Sequence, residues 1–159
     1  MKTIVVWQHA SKKIGSRLIR WATGEKYSHI GVQLNDSGIY HSDVKGCHVS
    51  SIEEFCNKSE YLYTVKAVSE EEHDQMLDRA KNRLGDPYDF LGAIGLGLLI
   101  ILARRIHRKI KPPMLNPRWL FCSEYSEYII WGTQTELTPG QVALKASDDS
   151  ESHYSNVLL

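Results

Sequence analysis

The sequence predicts an α+β domain in which a small antiparallel sheet packs against a cysteine-bearing helix. Three observations carry this. Two β-rich runs flank the turn residues NDSG at 35–38, which is a hairpin signature. Two Ser-x-x-Glu patterns, at Ser51 and Ser69, open helical segments as capping boxes. The stretch FCSEYSEYIIW at 121–131 has helical apolar spacing and stops at Gly132.

The elements follow in chain order. TIVVWQ at 3–8 is β-branched and bounded by polar residues, so it is a first strand. In SKKIGSRLIRWATG, Ser11 is the expected N-cap, Ile14, Leu18 and Ala22 share one face of an amphipathic helix, and Gly24 is the C-cap. Strands are expected at 29–34 and 39–44, then a turn at Lys45-Gly46 and a short strand in HVS. Ser51 opens a short helix through Phe55 and Cys56, and YLYTVKAV at 61–68 is a further strand. Ser69 with Glu72 opens a helix whose stripe of Met76, Leu77, Ala80 and Leu84 ends at Gly85. In the cysteine helix, Cys122, Ser126, Ile129 and Ile130 share a face, and Glu124 and Glu127 sit early, where the helix dipole tolerates them. Thr138 and Pro139 mark the N-cap and N1 of a last helix, and a short strand ends the chain.

FLGAIGLGLLIILA at 90–103 is uncharged for 14 residues and is followed by the basic RRIHRKIK. Spanning a bilayer takes roughly 20 such residues. A buried core helix is the favoured reading. An interfacial helix with a basic collar, giving peripheral membrane contact through 90–111, is the other.

Composition narrows the function classes. An apolar fraction of 42% and 159 residues fit one globular domain. Lys+Arg and Asp+Glu both number 19, which leaves no basic footprint for nucleic acid. Three cysteines without regular spacing argue against a disulfide framework. The apolar run near the N-terminus is too short for a signal-peptide core, so a cytoplasmic setting with free thiols is expected.

Chemistry concentrates at three residues. Cys122 begins a helix after a proline-rich loop, where the dipole favours the nucleophilic thiolate. A buried inert thiol is the commoner fate of a single cysteine. Cys47, in a turn, and Cys56, on the apolar side of a short helix, fit that inert reading. His29 opens one strand and His41 lies in the next. Antiparallel pairing sets Gln33 opposite Tyr40 and Ile30 opposite Asp43, which makes the two histidines near neighbours. Taken alone, each reads as an ordinary hydrogen-bonded sheet residue. His9 and His48 fall at strand ends, His73 on an exposed helix face, His107 in the basic collar and His153 in the tail. One thiolate and two imidazoles have the donor types of a zinc site. No CxxC or HxxxH spacing supports one, so no metal or other cofactor is expected.

The order of YSHIGV, IYHSDVKG, GDPYDFLG, FCSEYSEYII and LTPGQVALKAS resembles the circularly permuted branch of the NlpC/P60 superfamily. These are papain-like thiol hydrolases in which the histidine precedes the cysteine. They include the YiiX-like bacterial proteins and, more distantly, the lecithin retinol acyltransferase-like enzymes. The resemblance spans roughly residues 3 to 147 and rests most on the SHIGV strand and the FCSE helix start. It implies a single papain-like domain over 1–159 with a polar acidic tail from about 148. It further implies Cys122 as nucleophile, His29 as general base and His41 as the third polar position that orients His29. Tyr27 and Tyr88 would line the substrate site. The implied reaction is acyl transfer or hydrolysis at an amide, ester or thioester carbonyl of a small peptide, amide or lipid-like acyl substrate. The alternative is a non-catalytic ligand- or membrane-binding module on the same fold.

Overall fold

A computed structural model describes residues 1–35, 38–57, 59–88, 120–135, 137–148 and 153–155. The apolar stretch 90–103, its basic collar and His107 lie outside the described residues.

The strands are β1 (Lys2–Ala10), β2 (His29–Asn35), β3 (Gly38–Asp43), β4 (Gly46–Ser50), β5 (Glu60–Val68) and β6 (His153–Ser155). They form one six-stranded sheet in the order β4-β3-β2-β1-β5-β6, and every neighbouring pair is antiparallel. The helices are α1 (Ile14–Thr23), α2 (Ile52–Cys56), α3 (Glu70–Asn82), α4 (Cys122–Trp131) and α5 (Pro139–Asp148). The α+β class and the antiparallel sheet are as the sequence predicts.

Strand alternation divides the sheet into two faces. Ile4, Val6, Ile30, Val32 and Leu34 point into the main core with Met76 and Ala80 of α3, Tyr125 and Ile129 of α4, and Val142 of α5. The other face is smaller: Trp7 and Ile39 pack with Phe55 and Cys56 of α2. Helix α4 lies on β2 and β3, so the cysteine-bearing helix does pack on the sheet.

Local chemistry sets the helix ends. Ser51 and Ser69 accept the N–H groups of Glu54 and Glu72, and Glu72 returns a carboxylate to the Ser69 N–H at 2.9 Å. Thr138 and Gln141 make the same reciprocal pair at the start of α5. Gly24 and Gly132 close α1 and α4 in the left-handed conformation, at φ 74° and 73°. Arg79 donates to the carbonyls of Ile129 and Ile130, which ties α3 to the end of α4. The Tyr125 hydroxyl donates to the Ala80 carbonyl at 2.7 Å and links the same two helices.

Several expectations are corrected. Ser11 does not cap α1, because the helix begins after Lys13 and the Ser11 hydroxyl accepts the Lys13 N–H. Ile14 and Leu18 are exposed at 76% and 58%, while Ala22 is buried. Ser16 lies 2.5 Å from Ser28, hydroxyl to hydroxyl, so this side of α1 faces the domain rather than the Ile14–Leu18 stripe. His73 is not exposed: it is buried on α3 with Nε2 at 2.5 Å from the Leu34 carbonyl. Helix α3 stops at Asn82, which leaves Leu84 largely exposed. Cys47 and His48 lie within β4 rather than in a turn or at a strand end.

Candidate active site

The β2–β3 pairing does not keep the register expected for it. Next to the turn Asn35 pairs with Gly38, but a bulge between Gln33 and Asn35 shifts the ladder, so Gln33 faces Ile39 and Val32 faces Tyr40. A one-residue shift exchanges the two faces of a strand. Here it puts His29 and His41 on the same face, and their Nε2 and Nδ1 atoms lie 3.0 Å apart. Gly31 sits between them in the pleat. A Cβ there would meet Ile39 Cγ2 at 2.6 Å and His41 Cβ at 3.1 Å, so glycine lets β2 and β3 close at this point.

His41 is buried, and its second nitrogen, Nε2, lies 2.8 Å from Ser50 Oγ on β4. Serine can donate or accept, so the chain His29–His41–Ser50 is satisfied in either tautomeric sense. Ser50 was not singled out from the sequence. Its signal was alternation: His48 and Ser50 repeat at the spacing of His41 and Asp43, one strand over.

The same face carries a row of imidazoles. His9 pairs with His29 across β1–β2, and His41 pairs with His48 across β3–β4. Phe55 of α2 packs edge-on against His9 and His41, with ring centroids 4.7 and 4.9 Å away. Burial pushes the His9 imidazole down to about 4, assisted by Lys13. Burial also takes His41 down to about 3, with the neighbouring His48 acting the same way and Asp43 opposing. His29 is held well below its usual value by burial and then by His41, His9 and His48. His9, His29 and His41 are therefore neutral at pH 7. Among the described residues, one grouping has donor types and spacing that can hold a metal: His41, Asp43 and His48, with one ligand atom from each within 4.8 Å of the others.

Cys122 opens α4 as expected, but its thiol is not activated in this structure. Burial pushes it up to about 11; the backbone amides of Ile30 and Ser123 pull it down and the Glu124 carboxylate pushes it up. Desolvation outweighs the helix dipole because the side chain is only 6% exposed. The bond to Ile30 places Cys122 against β2 one residue along from His29. The Ile30 side chain belongs to the same core as Cys122, whereas the His29 ring lies on the Phe55 face. The structure thus joins His29 to His41 through their rings, and Cys122 to the same strand through its backbone. Cys47 and Cys56 are buried free thiols.

Among the described residues, Tyr27 and Tyr88 each line a cavity. Tyr27 lines a cavity of about 200 Å³ with Gln8, Glu25, Thr64 and Ala143, between the sheet and α5. Tyr88 lines another of about 280 Å³ beside Val44, Lys45 and Gly46.

No protein-family model and no curated protein matches the chain. Its fold is similar to that of metalloprotein yiiX from Escherichia coli O157:H7. That crystal structure shares 17% sequence identity at a TM-score of 0.56, over 98% of this chain and 96% of the other. The likeness is one of fold. No helix among the described residues is long and apolar enough to cross a membrane.

Proposed function

We propose that the chain is a cysteine-dependent hydrolase or acyltransferase with a papain-like arrangement of the permuted NlpC/P60 kind. In this reading Cys122 attacks an amide, ester or thioester carbonyl, His29 is the general base and His41 orients it. The observation that carries the reading is the 3.0 Å His29–His41 bond beside a helix-opening cysteine that touches the backbone of the next residue on β2.

For His29 to present a lone pair on Nδ1, its Nε2–H must donate to His41 Nδ1. His41 then donates from Nε2 to Ser50. The bonds present are compatible with that direction. With the thiol raised and the imidazole lowered, the resting pair is neutral. Because the His29 ring lies on the Phe55 face and Cys122 in the main core, this reading requires the two to approach at the end of β2. The proton then moves from Sγ to His29 as the sulfur–carbon bond forms, in place of a preformed thiolate. The oxyanion would accept the backbone N–H of Cys122 at the start of α4. His29 would return the proton to the leaving group, and water or another acceptor would release the acyl-enzyme. Tyr27 and Tyr88 then serve as wall residues of the substrate site.

The rival, a non-catalytic binding module on the same fold, draws on the raised thiol and on its hydrogen bonds running to backbone. A thiol-reactive acyl probe separates the two. Labelling should vanish in Cys122→Ala and persist in Cys47→Ala and Cys56→Ala; unchanged labelling of Cys122→Ala rules out the catalytic reading.

A further inference from the structure

One hairpin brings three metal-ligating side chains to the α2 face of the sheet. His41 and His48 are direct cross-strand partners on β3 and β4, and Asp43 lies two residues along β3 on the same side. The His41 and His48 ring centroids are 4.3 Å apart. His48 Nδ1 is 3.7 Å from Asp43 Oδ1 and donates to the Gly46 carbonyl at 2.9 Å, which leaves the Nε2 lone pair of His48 for a metal. We propose that His41, Asp43 and His48 form a binding site for a divalent metal ion of the zinc class.

The site is organised before any ion arrives. Asp43 Oδ1 accepts the Lys45 N–H at 2.8 Å, which fixes the carboxylate on the turn. Gly46 turns the chain at φ 92°, and a Cβ there would lie 2.5 Å from the Asp86 carbonyl. The Cys47 N–H bonds that same carbonyl and the Gly85 N–H bonds the Cys47 carbonyl, both at 2.8 Å, so β4 is clamped from outside the hairpin. His41 is held through Ser50 and His29. A metal takes the place of one of these partners, and the other then orients the ligating ring.

The donor set selects the cation. Two imidazoles and a carboxylate suit zinc and its transition-metal neighbours, whereas magnesium and calcium demand oxygen ligands. His41 is buried, while Asp43 and His48 keep 35% and 25% of their side chains exposed, which leaves a solvent side for entry and for a further ligand. Cys122 is not part of the set, but His41 belongs both to it and to the catalytic reading. A metal that displaces His29 from His41 Nδ1 would compete with the orienting role, while one that displaces Ser50 from Nε2 would leave it in place.

Chelator-stripped full-length protein is titrated with Zn²⁺ by calorimetry and with Co²⁺ by visible absorption. One equivalent should bind, and affinity should fall at least about tenfold in His48→Ala and in Asp43→Asn while Cys122→Ser binds as wild type. Asn at 43 keeps the oxygen that accepts the Lys45 N–H, so one ligand variant preserves the turn; melting curves verify both folds. Absence of binding overturns the site, as does undiminished binding in both ligand variants. A Co²⁺–thiolate band abolished by Cys122→Ser overturns it too. Loss of acyl-probe labelling with metal binding intact bears only on the catalytic reading.

Discussion

His29 and His41 meet at 3.0 Å because the bulge between Gln33 and Asn35 puts them on one face and Gly31 leaves room between them. A methyl group at 31 would press on Ile39 Cγ2 at 2.6 Å, Phe55 at 3.0 Å and His41 Cβ at 3.1 Å. Gly31→Ala should therefore destabilise the domain by about 1–3 kcal/mol. It should also slow acyl-probe labelling of Cys122 in the fraction that remains folded. Urea midpoints and labelling rates test the two effects separately, and a variant equal to wild type in both would refute the close-approach argument.

Acid should unfold the protein early. His9 and His41 have folded values of about 4 and about 3, and His29 is also lowered. The facing titratable and charged groups are Lys13, Lys45, Asp43 and His48, of which only Asp43 favours a protonated ring. Because these folded values lie below the unfolded value of about 6.5, the unfolded chain binds more protons between them. Stability is thus fully present above that value and falls as pH drops toward 4. The loss is about 1 kcal/mol per imidazole per pH unit. Urea midpoints at pH 7.5 and 5.0, in chelator, should differ clearly, and His9→Gln should flatten the slope; a flat wild-type profile would contradict the burial argument.

The elements most legible in the sequence are those fixed by local hydrogen bonds. The Ser51 N-cap, the Ser69 box, Gly24, Gly132 and Thr138 cap the helices from within a few residues of chain. The β2–β3 register was legible only beside the turn, because the bulge answers to tertiary fit. The orientation of α1 is not legible for a similar reason: an apolar stripe does not disclose that Ser16 will bond Ser28. At the site, His29 and His41 were readable from the hairpin. The raised Cys122 thiol was not, since desolvation depends on how deeply α4 beds into β2. Ser50, Asp43 and His48 needed the β3–β4 register before their shared face could be seen.

Glu127 holds the loop after α4. Its carboxylate is fully buried and accepts the Thr135 N–H at 2.8 Å, the Thr135 hydroxyl at 2.5 Å and the Thr133 hydroxyl at 3.1 Å. Glu127→Ala strands these donors and should cost about 2–4 kcal/mol. Glu127→Gln should lose less, because one oxygen remains while the amide N–H₂ faces a donor. Chemical denaturation orders the three proteins; an alanine variant as stable as wild type would show that the loop finds other partners.

Helix α1 and helix α4 bury their apolar residues to opposite extents, and their sensitivity to truncation should differ in the same sense. Ile14 and Leu18 are mostly exposed, whereas Ile129 is fully buried between α3 and the sheet. Ile14→Ala and Leu18→Ala should each shift stability by no more than about 0.5 kcal/mol. Ile129→Ala removes buried methyl groups, leaves a cavity, and should cost about 2–5 kcal/mol. Urea midpoints measured side by side decide this, and losses at Leu18 comparable to those at Ile129 would mean that the α1 stripe is packed in solution.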